Sequence, residues 1–461
     1  VSLSPARQIA FEVLRRVEEE GAYASDALHA ALDANLKPAD AALATELTMG
    51  VLRWRGQIDF LIECLSNKPV SRLDLPVLIA LRLGLYQMRF MQKIPARAAV
   101  NESVDLVKWA RKSSAAPFVN AVLRKAGEQS RKPIVELLPP GKTAAERLAV
   151  LHSHPQWLVE RWLASKGETA TVALLAANNE TPRLACVLND PSAREKVFAE
   201  LTQAGLRVEP GQLLNNAFSV SGGSPSRTAA FREGRISIQD EASQAVPLLL
   251  GVRAGERVLD VCAAPGGKTA ALARAAGQTS FVVAADLHAH RLRATKAQFT
   301  RLHLASITLV ALDAEKPLPF AAHFDRILVD APCSGTGTLA RHPEIRWRLK
   351  PEQLGEFHAM QTAILRNAIA QAAPNARIVY STCSMEPEEN ESVIEAVLQN
   401  PGGDNAKLHR ADTAEMPRAL KAHLALQVEA DRLFDEAGSF RTLPQRDATD
   451  GFFAALLVKG K

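Results

Sequence analysis

Two cysteines stand where a nucleophile could work. Cys333 lies in Asp330-Ala-Pro-Cys-Ser-Gly-Thr-Gly337 and Cys383 in Tyr380-Ser-Thr-Cys-Ser384. Each block follows an apolar run that reads as a strand, so both thiols are expected just past strand ends, on the edge where open α/β sheets bind ligands. A reactive thiol needs an accessible, polar setting. Cys64 and Cys186 read instead as small buried hydrophobes. The five cysteines are odd in number and show neither CxxC nor Cys/His ligand spacing, so no disulfide framework and no metal are expected.

The turn Asp260-Val-Cys-Ala-Ala-Pro-Gly-Gly-Lys-Thr269 adds a ligand loop. Its adjacent Gly266 and Gly267 let backbone approach a ligand at a helix N-terminus. A phosphate-binding GxxxxGK[ST] loop requires glycine where Cys262 stands, which disfavours a triphosphate and leaves a mononucleotide-like cofactor. Asp286 ends the next strand, at about the 20-residue spacing where an acidic group meets ribose hydroxyls. Asp313 and Asp330 end the two strands after it, so four consecutive strands finish in an aspartate.

A thiol, a carboxylate and a nucleoside-bearing cofactor together suit methylation of carbon 5 of a pyrimidine. That carbon becomes nucleophilic only after a thiolate adds to carbon 6. A carboxylic acid beside the ring nitrogen would stabilise the developing charge, and a base must later remove the carbon-5 proton so that the thiol can leave. An amino-methylating enzyme of similar fold would carry an aromatic where Cys333 stands.

These residues need a scaffold, and the apolar periodicity supplies one. The first 130 or so residues read as helices only: Ser4 and Pro5 open a run with Ile9, Val13 and Val17 at helical spacing, and similar runs follow around Leu47, Leu81 and Val104. RKPIVELLPPGK (131–142) reads as a connector. RLACVLN, SAREKVFAELTQAG, LRVEP and AFSVSG read as strand, helix, strand, strand, a small α/β unit. Beyond Phe231, strands and helices alternate through ARIVYSTCS to a final GFFAALLVK strand, implying a parallel, doubly wound sheet. The expected domains are therefore a helical bundle over 1–131, a connector and small α/β subdomain over 132–235, and a Rossmann-like catalytic domain over 236–461.

Charge is uneven. Of the 55 basic and 50 acidic residues, the whole excess falls in the first 150 or so. Residues 82–132 hold Arg82, Arg89, Lys93, Arg97, Lys108, Arg111, Lys112, Arg124, Lys125, Arg131 and Lys132 against only Glu102, Asp105 and Glu128. Such a run suits a polyanion. The longest apolar stretches, near Leu75 and Phe281, are broken by Arg82 and Asp286, so no membrane span is expected. With no secretory signal core near Val1, a cytoplasmic protein is the expectation.

DVCAAPGGKT, DAPCSGTG followed by RHPEIRW, and YSTCSMEPEENE resemble the signature blocks of the RNA cytosine-5 methyltransferases, in order and without departure. PARQIAFEVLRRV, MGVLRWRGQIDFLI and NAVLRK resemble the NusB-like RNA-binding domain of the family's bacterial Sun/Fmu branch, which acts on 16S ribosomal RNA. The resemblance implies a recognition-motif-like middle subdomain and a monomer that takes S-adenosyl-L-methionine and ribosomal RNA. It implies that Cys262, Ala263, Ala264, Pro265, Gly266, Gly267 and Lys268 line the cofactor site, with Asp286 on ribose and Asp313 on adenine. Asp330 would stand between cofactor and cytosine, Cys383 would be the nucleophile, and Cys333 would assist product release. Arg111, Lys112, Arg124 and Lys125 are the expected RNA contacts. A transfer-RNA target and a non-catalytic NusB-like RNA-binding factor remain alternatives. Residues 401–447 carry no assignable detail.

Overall fold

The structure, a computed structural model, describes residues 3–32, 36–129, 132–277, 280–400 and 407–460. Contacts divide the chain into two units, one of Val1–Glu180 with Leu339–Leu349 and the other of Thr181–Thr338 with Lys350–Lys461. The first is all helical. Pro5–Glu19, Pro38–Ser66, Leu75–Phe90, Ala96–Trp109 and Ala116–Gln129 are its main helices, three of them opened by a proline that costs no intrahelical hydrogen bond there. Leu75–Phe90 is buried without a break from Val77 to Gln87, which makes it the central helix. Phe11, Val51, Ile58, Leu81, Leu106 and Leu123 pack with it in one core.

Two expectations change here. Arg82, counted above as part of a basic surface, is only 3% exposed. It donates to Asp59 at 2.7 and 2.8 Å and to Glu18 at 3.0 Å, so its charge is spent inside the bundle. Cys64, read as buried, is exposed beside buried Leu65 because it falls on the solvent side of Pro38–Ser66. Arg131, also counted in the basic run, lies outside the described residues.

The helices Ala144–Leu151, Gln156–Lys166 and Glu168–Ala177 complete this unit, the first of them opened by a reciprocal cap between Thr143 and Glu146. The RHPEIRW block belongs to it as well. Arg346 is fully buried and donates to Ser153 O (3.0 Å), Asn179 Oδ1 (2.9 Å), Asn178 O (3.0 Å) and Leu339 O (3.2 Å). Trp347 Nε1 donates to Leu52 O at 2.8 Å. Burial, with nearby Arg53, pulls the Arg346 guanidinium down to about 9.

The second unit holds two sheets. The smaller is antiparallel, ordered β2 (Arg207–Pro210), β3 (Ala217–Ser221), β1 (Leu184–Leu188), β4 (Ile236–Ile238), and helix Arg194–Gln203 packs Val197 and Leu201 against it. The larger has a parallel centre, β7 (Ile307–Ala311), β6 (Val282–Asp286), β5 (Val258–Asp260), β8 (Phe324–Asp330), β9 (Ala372–Thr382). Beyond β9 the expected parallel sheet turns antiparallel: β12 (Phe452–Lys459) runs against β9, and β10 (Leu408–Arg410) and β11 (Phe440–Thr442) pair with β12. Of the stretch that the sequence leaves unassigned, residues 401–406 lie outside the described residues, and the rest supplies β10, β11 and short helices.

Arg346→Ala removes four hydrogen bonds and leaves buried carbonyls unpaired, a change worth ~3 kcal/mol or more. Thermal unfolding monitored within the helical unit should shift down accordingly. An unchanged midpoint would show that Arg346 does not organise the unit.

Candidate active site

Strand order reverses between β5 and β8: β6 and β7 follow on one side of β5, β8 and β9 on the other. Ligands of open α/β sheets bind at such a crevice. The turn after β5 opens onto it, and helix Gly267–Ala276 follows, with Gly266 in a left-handed conformation (φ +99°). A Cβ at Gly266 would lie 2.8 Å from Phe299 and Thr295, so glycine is required on both counts.

The aspartates fall at the strand ends as the pattern predicts. Asp260, Asp286 and Asp330 are the final residues of β5, β6 and β8, and Asp313 lies just past β7. A cleft of about 140 Å³ is lined by Asp260, Cys262, Ala263, Ala264, Pro265, Gly267, Lys268 and Asp330, with Ser237, Gln239 and Gln298 from neighbouring elements. Gly266, Asp286 and Asp313 are not among its lining residues. Asp286 is nearly buried and accepts from the backbone N–H groups of Ala264 (3.1 Å) and His288 (3.0 Å), with Arg291 at 3.6 Å. Asp313 is half-exposed, and hydrogen bonding to Lys316 holds its carboxyl below the usual range.

Asp330 joins the cleft to the thiols. Its Oδ2 accepts from Lys268 Nζ at 2.7 Å and its Oδ1 from Ser381 Oγ at 2.8 Å. The second contact follows from register, since Asp330 on β8 pairs with Ser381 on β9. Burial opposes the Lys268 charge, but Asp330, and after it Cys383 and Asp260, outweigh burial and raise this ammonium above its ordinary value. The Lys268 ammonium also lies 5.2 Å from the Phe452 ring centroid. Ser381 and Phe452 escaped the sequence reading; pairing the two strand-end blocks in register would have found the first.

Cys333 and Cys383 lie on the loops after β8 and β9, half-buried, with their sulfurs 3.2 Å apart. The loops meet because Gly337 N donates to Cys383 O (2.9 Å) while Gly451 N donates to Gly337 O (2.8 Å). The hydrogen bond to Cys383, reinforced by burial, drives the Cys333 thiol well above the ordinary range, so it keeps its proton at neutral pH. Burial and then the surrounding carboxylates do the same for Cys262, which makes it a wall of the cleft rather than a nucleophile. Cys186 is a core residue whose thiol burial pushes up to about 12.

A glycine turn opening at a topological switch point, with carboxylates on the strand ends around it, places the domain in the doubly wound α/β class, whose ligands bind at that crevice. Three family models match successive stretches of the chain: NusB family over residues 4–128, an RsmF/B-like ferredoxin-like domain over 154–226, and 16S rRNA methyltransferase RsmB/F over 247–458. The chain is 34% identical to a probable ribosomal RNA small subunit methyltransferase B of Bacillus subtilis, with 98% of each covered. It is 31% identical to the ribosomal RNA small subunit methyltransferase B of Escherichia coli, again over 98% of each. The crystal structure of a methyltransferase homolog protein from Pyrococcus horikoshii matches with a TM-score of 0.55 at 26% identity, covering 70% of this chain and all of that one. The chain belongs to the RsmB/F family of methyltransferases. Its helical NusB domain, small ferredoxin-like domain and methyltransferase domain are the three the sequence anticipates, the last with a mixed rather than wholly parallel sheet.

Asp260 is fully buried, and burial raises its carboxyl from 3.8 to about 7. Thr269 Oγ1 donates to its Oδ2 at 2.6 Å. Between those two values the folded chain holds a proton that an exposed aspartate has lost, so this group's contribution to stability is full below about pH 4 and declines as pH rises to about 7. The stability of Asp260→Asn relative to the parent should therefore improve from about pH 4 to 7 and level off above. Denaturant unfolding of the ligand-free chain across that range checks this, and a pH-independent difference would contradict it.

Proposed function

We propose that the chain methylates carbon 5 of a cytosine in small-subunit (16S) ribosomal RNA, using S-adenosyl-L-methionine and a transient bond between Cys383 and carbon 6. The observation that carries this reading is the thiol pair, 3.2 Å apart at the carboxyl edge of β8 and β9, on loops that follow Asp330 and Ser381. The similarity to ribosomal RNA small subunit methyltransferases supports the RNA substrate.

The cleft fits such a cofactor. Asp260 Oδ1 is buried, lines the cleft and has no hydrogen-bond partner among the described residues. An unpaired acceptor in a buried site suits a ligand bearing N–H groups or positive charge, and S-adenosylmethionine has both. Cys262 through Lys268 would hold it, with Asp286 toward the ribose and Asp313 toward the adenine. When bound, it supplies a methyl group activated by a sulfonium.

The remaining steps belong to the chain's own residues. Cys383 adds through its thiolate to carbon 6, forming a sulfur–carbon bond and moving the ring's π electrons toward carbon 5. Asp330, held by Lys268 and Ser381, would orient the cytosine and stabilise a proton on its ring nitrogen, which offsets the negative charge that addition drives into the ring. After methylation a base takes the carbon-5 proton, the double bond between carbons 5 and 6 re-forms and Cys383 departs as its thiolate, with Cys333 assisting this release from beside it.

RNA would bind the helical unit through exposed cations. Arg111, Arg124 and Lys125 are exposed, Lys125 Nζ also donating to Leu65 O at 3.2 Å, whereas the Lys112 charge pairs with Asp74 at 2.9 Å. The basic surface is therefore narrower than the residue count implies.

Cys383→Ala should abolish turnover and leave no covalent RNA adduct, while Cys333→Ala should methylate once and trap the RNA on a denaturing gel. A stable methylated adduct with Cys383→Ala would overturn the assignment. For the helical unit, Arg111→Ala with Arg124→Ala should weaken RNA binding and reduce its logarithmic salt slope by about 1.4 if both meet single-stranded phosphate. A slope equal to the parent's in a filter-binding titration would remove both residues from the interface.

A further inference from the structure

The two thiols stand on separate loops, and one buried carboxylate grips both. Glu389 has none of its surface exposed. Its Oε2 accepts from the backbone N–H of Ser334 (2.8 Å) and from Gln361 Nε2 (2.9 Å). Its Oε1 accepts from the Ser334 hydroxyl and from the Ser384 hydroxyl (2.5 Å). Ser334 directly follows Cys333, and Ser384 directly follows Cys383. Gln361, on helix Gln353–Ala370, also donates to Pro332 O at 2.9 Å, so the Cys333 loop is held on either side of its thiol.

Asn390 extends the grip on the other loop. It accepts from Thr382 Oγ1 at 2.5 Å and donates through Nδ2 to Ser384 O at 2.9 Å, on either side of Cys383. The Tyr380 hydroxyl donates to the Glu389 carbonyl at 2.6 Å, fixing the backbone between them. Among the described residues no cation pairs with Glu389; its side chain is compensated by donors alone. Burying a carboxylate in this way is costly unless every donor is in place, which makes the arrangement rigid.

We infer that Glu389 is a positioning residue that sets the separation of Cys333 and Cys383, clamping the two loops so that the releasing thiol stays within reach of the adduct on the other. This rests on the reaction proposed above. Glutamine at this position keeps the shape but removes the charge and can turn its NH2 only toward the rotatable serine hydroxyls, so the charge-assisted bonds to both loops weaken and the loops can part. Misplacement of a reacting group by about 1 Å is enough to cost about 100-fold in rate.

The experiment uses the full chain and the diamide reagent, a diazene that takes two hydrogens from two thiols and leaves a disulfide. In the parent, Cys333 and Cys383 should join rapidly, as read by peptide mapping. In Glu389→Gln the rate of that joining should fall at least tenfold, and release of methylated small-subunit RNA from its covalent adduct should fall about 100-fold. S-adenosylmethionine affinity should stay within about twofold of the parent, a separation that general loss of fold would not give. If Glu389→Gln fails to fold, Ser384→Ala removes a single donor and should slow both reactions by a smaller factor at unchanged cofactor affinity. A parental disulfide rate in the folded variant overturns the clamp, whatever methylation does. A slowed disulfide rate with parental release of methylated RNA sustains the clamp and overturns the thiol chemistry.

Discussion

Two backbones meet at Gly337 at a distance no side chain permits. A Cβ there would stand 2.1 Å from Gly451 O and 2.8 Å from Cys383 O. Because glycine has none, the loop after β8 can lie directly on the end of β9 and on the residues that lead into β12. That approach brings Cys333 to Cys383, and it makes the thiol pair a property of three separated stretches of chain. The remaining site geometry is arranged around this crossing, since Asp330 and Ser381 precede the two loops and share one register.

Charge at the edge is handled by pairing rather than by exposure. Lys268 lies between Asp330 and the ring of Phe452, so this ammonium lining the cleft is neutralised by the carboxylate that also faces the thiol loops. Asp260 keeps its proton to about pH 7 because burial leaves it without such a partner. Neighbouring strand ends thus present one carboxylate paired and oriented by an ammonium and one that a cationic ligand could ionise. Environment, not residue type, separates their roles.

Much of this was legible from local pattern. Strand-end aspartates, the glycine turn and both cysteine blocks announce themselves because period-two apolar runs and turn residues are short-range signals. What depended on distant partners was not. Arg82 looks like surface charge until Glu18 and Asp59, far away in sequence, are found around it. GFFAALLVK reads correctly as a strand, but its antiparallel direction beside β9 depends on where the preceding loop leads it. Glu389 sits in an acidic run that looks solvated, and only the folding of Ser334, Gln361 and Ser384 around it reveals a buried acceptor.

The placement of β12 bears on how the chain is made. β12 lies between β9 and β10 in the sheet, yet it is synthesised after both. On a ribosome, β9 emerges with the edge meant for β12 bare, displaying unpaired N–H and C=O groups while more than 60 further residues are added. During that interval the nascent domain carries an open template for another strand, and neighbouring chains on one messenger are the nearest source of one. Late insertion of β12 closes the template and, through the same backbone that meets Gly337, completes the crossing at the thiols.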